Sequence, residues 1–212
     1  MNASKFKRST PILVAIVGGS GSGKTWLAER LQSALGPDAV RLSLDDFYRD
    51  RSHLSLARRA RVNFDQPKAI DWGGVETAVR RLAGGWTARV PRYDFATHSR
   101  QKTGKTVPAR PVVLIDGLWL LRRRSLRSLF HLRIFLECPT RIRLRRRLER
   151  DVGSRGRTAA SVHRQFRDTV EPMHRIYVSS QSRHADVVIR GACSPEDIKR
   201  LVLRIRAGIC PN

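Results

Sequence analysis

The sequence predicts an α/β protein, a doubly wound sheet of five parallel strands with helices on both faces. Three observations predict it. Short apolar, β-branched runs alternate with helical patterns along the 212 residues, the order that a parallel sheet with crossover helices requires. One of those runs, Val112-Val113-Leu114-Ile115, is apolar without alternation, as expected of a strand buried on both faces. The first run, from Ile12 to Val17, leads straight into a loop of glycine and serine and then into a helical pattern.

The elements follow in order. Strands are expected at residues 11–17, 39–44, 111–116, 132–137 and 186–190, each a short apolar stretch. Helices are expected at 24–35, 75–82, 141–151, 159–182 and 195–207. In the third of these, Leu144 and Leu148, continued by Val152, recur every four residues, so that face is expected to pack and most of the surrounding arginines to be solvated. Residues 84–110 break the rhythm, with little core but many polar, basic and aromatic groups. The part at 85–93 reads as a hairpin arm, and the whole insertion as a candidate substrate flap. With no internal repeat and no long linker, the chain is expected to be one domain, 1–212, carrying the flap at about 84–110 and a helical lid at about 141–165.

No run approaches the ~20 apolar residues of a membrane span. The basic N-terminus, MNASKFKRST, precedes a core strand and does not read as a cleavable signal. Cys138, Cys193 and Cys210 are odd in number and lack zinc spacing, so a reducing cytoplasm is the expected setting. Lys and Arg number 42 against 18 Asp and Glu, a net charge of +24. Such a surface attracts polyanions, nucleotides or nucleic acid; the alternative is a solvated arginine excess without a task. The basic segment 141–157 has no aromatic residue for base stacking, so no specific nucleic-acid surface is expected there.

The loop itself, Gly18-Gly19-Ser20-Gly21-Ser22-Gly23-Lys24-Thr25, fits the phosphate-loop pattern between a strand and a helix. Side chains are scarce because backbone N–H groups must close around phosphate oxygens, and the following helix points its positive end at the same anion. Lys24 reaches the β and γ phosphates, and Thr25 offers its hydroxyl to Mg²⁺. The expected ligands are ATP or GTP with Mg²⁺. The second strand ends in Ser43-Leu44-Asp45-Asp46-Phe47-Tyr48. Acids at the carboxyl end of a parallel strand lie where such sheets bind ligands, although the pair also suits a helix N-cap. Beside a phosphate loop, Asp45 can orient a hydroxyl nucleophile and take its proton. Asp116 closes the third strand at a position that helps to hold Mg²⁺, so Thr25, Asp116 and Asp45 are the candidate metal residues. Arg155 and Arg157 flank Gly156, which turns both guanidiniums loose at a helix end to stabilise a transferring phosphoryl group. On the flap, Tyr93 can stack a base and His98 can bond a carbonyl edge; alternatively Tyr93 and Phe95 are flap core and His98 is incidental.

Several separated motifs resemble those of the uridine (uridine–cytidine) kinases, in the wider uridine kinase and phosphoribulokinase group of phosphate-loop kinases. They are GGSGSGKT at 18–25, DDFY at 45–48, NFDQPKAID at 63–71, RYDFATHSR at 92–100, IDGL at 115–118, RDVGSRGR at 150–157, VEPMHRIYV at 170–178 and ADVVI at 185–189. The resemblance implies ATP-dependent phosphorylation of the 5′-hydroxyl of uridine, and of cytidine, in pyrimidine salvage. It places Asp45 on the catalytic base, Tyr48 and Asp65 at the acceptor site, Tyr93 and His98 on the pyrimidine, Arg147 and Gln165 near the same pocket, and Arg155 and Arg157 in the lid. It implies a nucleoside and ATP as partners and a homo-oligomer. A kinase of another acceptor, such as a phosphorylated pentose or another nucleoside, is the alternative, and a basic nucleic-acid-binding NTPase is the rival from a different class. Asp116 stands where the family usually has Glu, Asp46 where it often has Ser, and Trp119 and Glu171 also depart from the usual residues.

Overall fold

The computed structural model describes residues 10–209. Its elements are β1 (Ile12–Gly18), α1 (Lys24–Leu35), β2 (Ala39–Ser43), α2 (Leu56–Ala60), α3 (Trp72–Ala83), β3 (Ala88–Val90), β4 (Tyr93–Asp94), β5 (Ser99–Arg100), β6 (Lys105–Val107), β7 (Val112–Gly117), α4 (Arg124–Arg127), β8 (Leu132–Glu137), α5 (Thr140–Arg155), α6 (Ala159–Gln165), α7 (Glu171–Tyr177), β9 (Val187–Arg190) and α8 (Pro195–Ile209). The central sheet has five strands in the order β2-β7-β1-β8-β9, and every pairing in it is parallel.

Side chains alternate across the pleat, and β1 supplies two cores at once. Leu13, Ala15 and Val17 pack on one side with Val79 and Leu82 of α3. Val14 and Ile16 pack on the other with Leu27 and Leu31 of α1 and Leu201 and Ile205 of α8. The register then gathers the chemistry at one edge. Val17 lies opposite Gly117, and Ile16 opposite Asp116. Asp116 also faces Ser43 on its other side. The root of the glycine loop, Asp116 and the turn after Ser43 therefore meet at the carboxyl ends of three adjacent strands, which is where open parallel sheets take ligands.

The flap is a long hairpin built of two short antiparallel ladders, β3 with β6 and β4 with β5. Two expectations about helices need correction. Residues 159–182 are not one uniform helix: a π-helical segment, Phe166–Val170, separates α6 from α7, and 3₁₀ geometry follows at Ser179–His184. In α5, Arg143, Arg147 and Asp151 are the buried residues, while Leu144 and Leu148 are half-buried and Val152 is exposed. Ionic partners, the glycine loop and the buried Phe166 ring, its centroid 5.6 Å from the Arg143 guanidinium, cover the inner face of that helix. Among the described residues no helix is long and apolar enough to cross a membrane. Cys138 and Cys193 are free thiols; Cys210 and the basic stretch 1–9 lie outside the described residues.

Candidate active site

The glycine loop turns on Gly21 and Gly23, at φ +79° and +96°. Only glycine adopts that region freely. At Gly21 a side chain would also run into the backbone carbonyl of Arg143. No side chain caps the start of α1, so its first N–H groups are left for an anion. Lys24 opens α1, is buried, and donates from Nζ to the Gly19 carbonyl at 3.3 Å. Burial lowers the pKa of its ammonium, while the negative charges of Asp45 and Asp116 work against that fall. The lysine thus lies within the field of both candidate acids. Behind the loop, a Cβ on Gly19 would sit 2.7 Å from His174 Nδ1 and 3.0 Å from Arg143 Nη1. Burial, and then the charge of Arg143, brings the His174 pKa down to about 4, so the imidazole is neutral at ordinary pH. Glu171 pairs with the buried Arg143, which gives that departure from the usual residue a structural partner.

Thr25 Oγ1 donates to Asp116 Oδ2 at 3.1 Å, and Ser43 Oγ to the same oxygen at 3.5 Å. The other carboxylate oxygen, Oδ1, is buried with no hydrogen-bond partner. Burial first, and then the like charge of Asp45, raises the Asp116 pKa to about 6. Among the described residues no cluster of three or more His, Cys, Asp or Glu side chains could hold a metal alone. The donor set fits an ion that arrives with phosphate oxygens: one free carboxylate oxygen and a hydroxyl suit Mg²⁺, which keeps several ligands for water and substrate. The shorter Asp116 therefore reaches Thr25 directly.

Asp116 also has a consequence for stability. Its pKa is 3.8 when unfolded and about 6 when folded, so between those values the folded state binds more protons. Its contribution to stability falls as pH rises through that window and is constant above it. Asp116→Asn removes the penalty and should gain stability relative to wild type between pH 4 and pH 7, by at most roughly 3 kcal/mol. Urea melts of both proteins at the two pH values, without nucleotide or metal, measure this; parallel curves would refute it.

Above the loop lies a cavity of about 300 Å³. Ser20, Lys24 and Asp45 line one part, and Tyr48, Asp65, Phe64, Tyr93, Phe95 and His98 another, with Arg147, Arg155, Arg157 and Gln165 completing the wall. Every residue expected to bind acceptor or aid catalysis is thus at this one cavity, with Thr25 and Asp116 just beneath. Its aromatic part is tightly built. The His98 ring stacks on Phe64, with centroids 4.9 Å apart and planes 11° from parallel. Tyr93 sits 5.2 Å from both Tyr48 and Phe95. His98 is the one non-glycine residue with positive φ among those described, at +50°; the turn after β4 forces it there, with Asp94 accepting from the Ala96 N–H at 2.8 Å and from Thr97 Oγ1 at 2.9 Å. Burial lowers the His98 pKa, helped by Arg157 and Arg155, so the ring is neutral and keeps both a donor and an acceptor nitrogen. Burial raises the Tyr93 pKa to about 12, and its hydroxyl is buried without a partner.

The lid arginines are not loose. Arg155 lies over the Phe95 ring, 4.3 Å from its centroid, and 3.5 Å from Asp151. Arg157 bonds Gln165 and, at 2.8 Å, Ser161 Oγ. Arg147 donates to Ser20 Oγ and to Gln165 Oε1, both at 2.8 Å, and lies 3.9 Å from Asp65. Burial raises the Asp65 pKa, and Arg147 opposes the rise. One residue that the sequence reading passed over ties this group together. Asp151 is buried and lies within 4.0 Å of Arg147, Arg150, Arg155 and Arg157. Its spacing of four from Arg147 and from Arg155 was the available signal.

The sequence profile of the Phosphoribulokinase / Uridine kinase family matches residues 13–196. A uridine kinase from Chloroflexus aggregans is 37% identical over 201 residues, which cover 94% of this chain and 96% of that protein. One from Deinococcus deserti is 36% identical over 201 residues, covering 94% and 97%. Among solved structures, a phosphoribulokinase from Rhodobacter spheroides superposes with a TM-score of 0.64 at 17% identity, covering 86% of this chain and 70% of that one, a likeness of fold. A profile match over most of the chain, together with relatives of this identity at nearly full length, shows that the chain belongs to the phosphoribulokinase and uridine kinase family.

Proposed function

We propose that the protein transfers the γ-phosphoryl group of ATP to the 5′-hydroxyl of uridine, and of cytidine. The observation that carries this reading is the cavity that joins Lys24 and Asp45 to Tyr93 and His98: phosphate-handling groups and a ring-lined pocket share one space. The full-length relatives named uridine kinase support the acceptor. Asp45 takes the hydroxyl proton as that oxygen attacks the γ-phosphorus and the bond to the β-phosphate oxygen breaks. Lys24, Arg155 and Arg157 offset the charge on the transferring group. Thr25, Asp116 and Asp45 would hold Mg²⁺, which would supply further neutralisation of phosphate charge when bound. Tyr93 and Phe64 offer faces to the pyrimidine, and His98 offers an N–H or a lone pair to its polar edge. A second cavity of about 450 Å³ touches the loop at Ser22 and Gly23, between Trp26, Arg146 and Cys193, and takes the base of the donor nucleotide.

A panel of uridine, cytidine, adenosine, guanosine and ribulose 5-phosphate tests the acceptor. His98→Ala leaves polar base atoms unpaired, and Tyr93→Ala removes a stacking face. Each should lower kcat/KM for uridine by about tenfold or more, with the Kd for ATP nearly unchanged. If neither pyrimidine nucleoside is phosphorylated by the wild type, the acceptor assignment fails.

A further inference from the structure

We propose that Arg100 is a positioning residue, a strut that joins the acceptor flap to the turn carrying Asp45 so that the two form one rigid frame. This rests on the reading of Asp45 as the base. Arg100 ends β5 and lies opposite Tyr93 in the inner ladder of the flap. Its side chain leaves the flap altogether. Nε donates to the Tyr48 carbonyl at 2.8 Å, and Nη2 to the Phe47 carbonyl at 3.2 Å and to Asp71 Oδ2 at 3.1 Å. Its backbone N–H donates to Asp50 Oδ1 at 3.0 Å. Phe47 and Tyr48 close the 3₁₀ turn, Leu44–Phe47, on which Asp45 rides.

Carbonyls at the end of a helical turn have no partner within it; that of Phe47 also accepts from the Asp71 N–H at 2.9 Å, and a planar guanidinium spans two neighbouring acceptors as an ammonium does not. Asp71 anchors the far side, because it also accepts from the Gly74 N–H at 3.1 Å at the start of α3. The outer ladder makes a second tie. Lys105 of β6 pairs with Asp46 at 2.6 Å, so the extra acid beside Asp45 has its charge met by the flap. Both ladders therefore grip one four-residue turn. Recognition of the acceptor by Tyr93 and His98 and placement of the base are set by the same strut.

Arg100→Lys keeps the charge and loses the fork. Its kcat for uridine should fall by about tenfold or more, because small misplacement of a reacting group is costly. Nucleotide Kd, measured by calorimetry, should stay within about twofold, because the strut touches no part of the phosphate loop. Hydrogen exchange without any substrate should speed up at the amides of residues 45–48 and stay unchanged in β1 and β7. A kcat within twofold of wild type, or unchanged exchange at 45–48, would overturn the proposal. Should Arg100→Lys fail to fold, Lys105→Gln decides: a smaller loss in the same direction, in keeping with a partly exposed ion pair, supports the frame, and no change in either readout refutes it. A wild type that phosphorylates no pyrimidine nucleoside would instead refute the acceptor assignment, while the exchange measurement would still decide the strut.

Discussion

Lys24→Met should lower turnover by about two to four orders of magnitude, the loss seen when a preorganised contact to transition-state charge is removed. The expectation follows from where the ammonium sits. It is buried at the start of α1, anchored on the Gly19 carbonyl, and its charge is supported by Asp45 and Asp116. A group held in this way needs little reorganisation as charge moves toward the leaving oxygen. Methionine keeps the apolar stem packed, so the melt should move by only a few degrees. Removing the ammonium should also push the Asp116 pKa up from its already raised value, because Lys24 is one of the charges holding it down. Turnover and the thermal melt measured on the same samples test this. Near-normal turnover, or a collapse of the melt that accounts for the loss, would remove the phosphate-loop role.

The parts of this molecule that were legible in its sequence are those in which one local rule acts alone. Val112–Ile115 reads as a buried strand because nothing but apolar burial acts on it, and the loop at 18–25 reads as a phosphate cradle because only backbone can fill it. Asp45 and Asp116 could be singled out as candidates because they follow or end apolar strands, and Tyr93 and His98 because their segment reads as polar. The expectation of little core at 84–110 was wrong, since Ala88, Val90, Tyr93 and Val107 are buried in the main core. The inner face of α5 was not legible either. Hydropathy ranks arginine as the residue to leave outside, yet Arg143 and Arg147 are buried. Partners far away in sequence reverse the preference: Glu171 for Arg143, and Ser20, Asp65 and Gln165 for Arg147. No periodicity reports an ion pair across such separations.

The π segment at 166–170 was invisible for a related reason. Gln165 on one side of it serves Arg147 and Arg157, while on the other Glu171 pairs with Arg143 and His174 packs behind Gly19, where a Cβ would meet its ring. A widened turn lets one helical run address both the cavity and the back of the glycine loop, and π-bulges recur at functional sites. The strut from Arg100 escaped for the same cause, since its carbonyl acceptors lie more than 50 residues away along the chain and Asp71 lies 29 away.

Asp45→Asn should reduce phosphoryl transfer by about two to four orders of magnitude while uridine still binds, since an amide keeps the shape of the carboxylate but accepts no proton at neutral pH. The surrounding charges sharpen the expectation. Asp45 raises the pKa of Asp116 and of Asp65, and it opposes the burial-driven fall at Lys24. Neutralising it should lower the Asp116 pKa and leave that carboxylate more fully ionised at neutral pH. Binding of Mg²⁺ and ATP should therefore hold steady or tighten while transfer is lost, the reverse of what a loosened site gives. Calorimetry with ATP and Mg²⁺, calorimetry with uridine, and single-turnover transfer measure the three quantities on one protein. Loss of all three together would mean that Asp45 holds the site in shape instead of acting as the base. Retained transfer would mean that the proton leaves by another group, and Asp65, at the same cavity with a raised pKa, would be the next residue to replace.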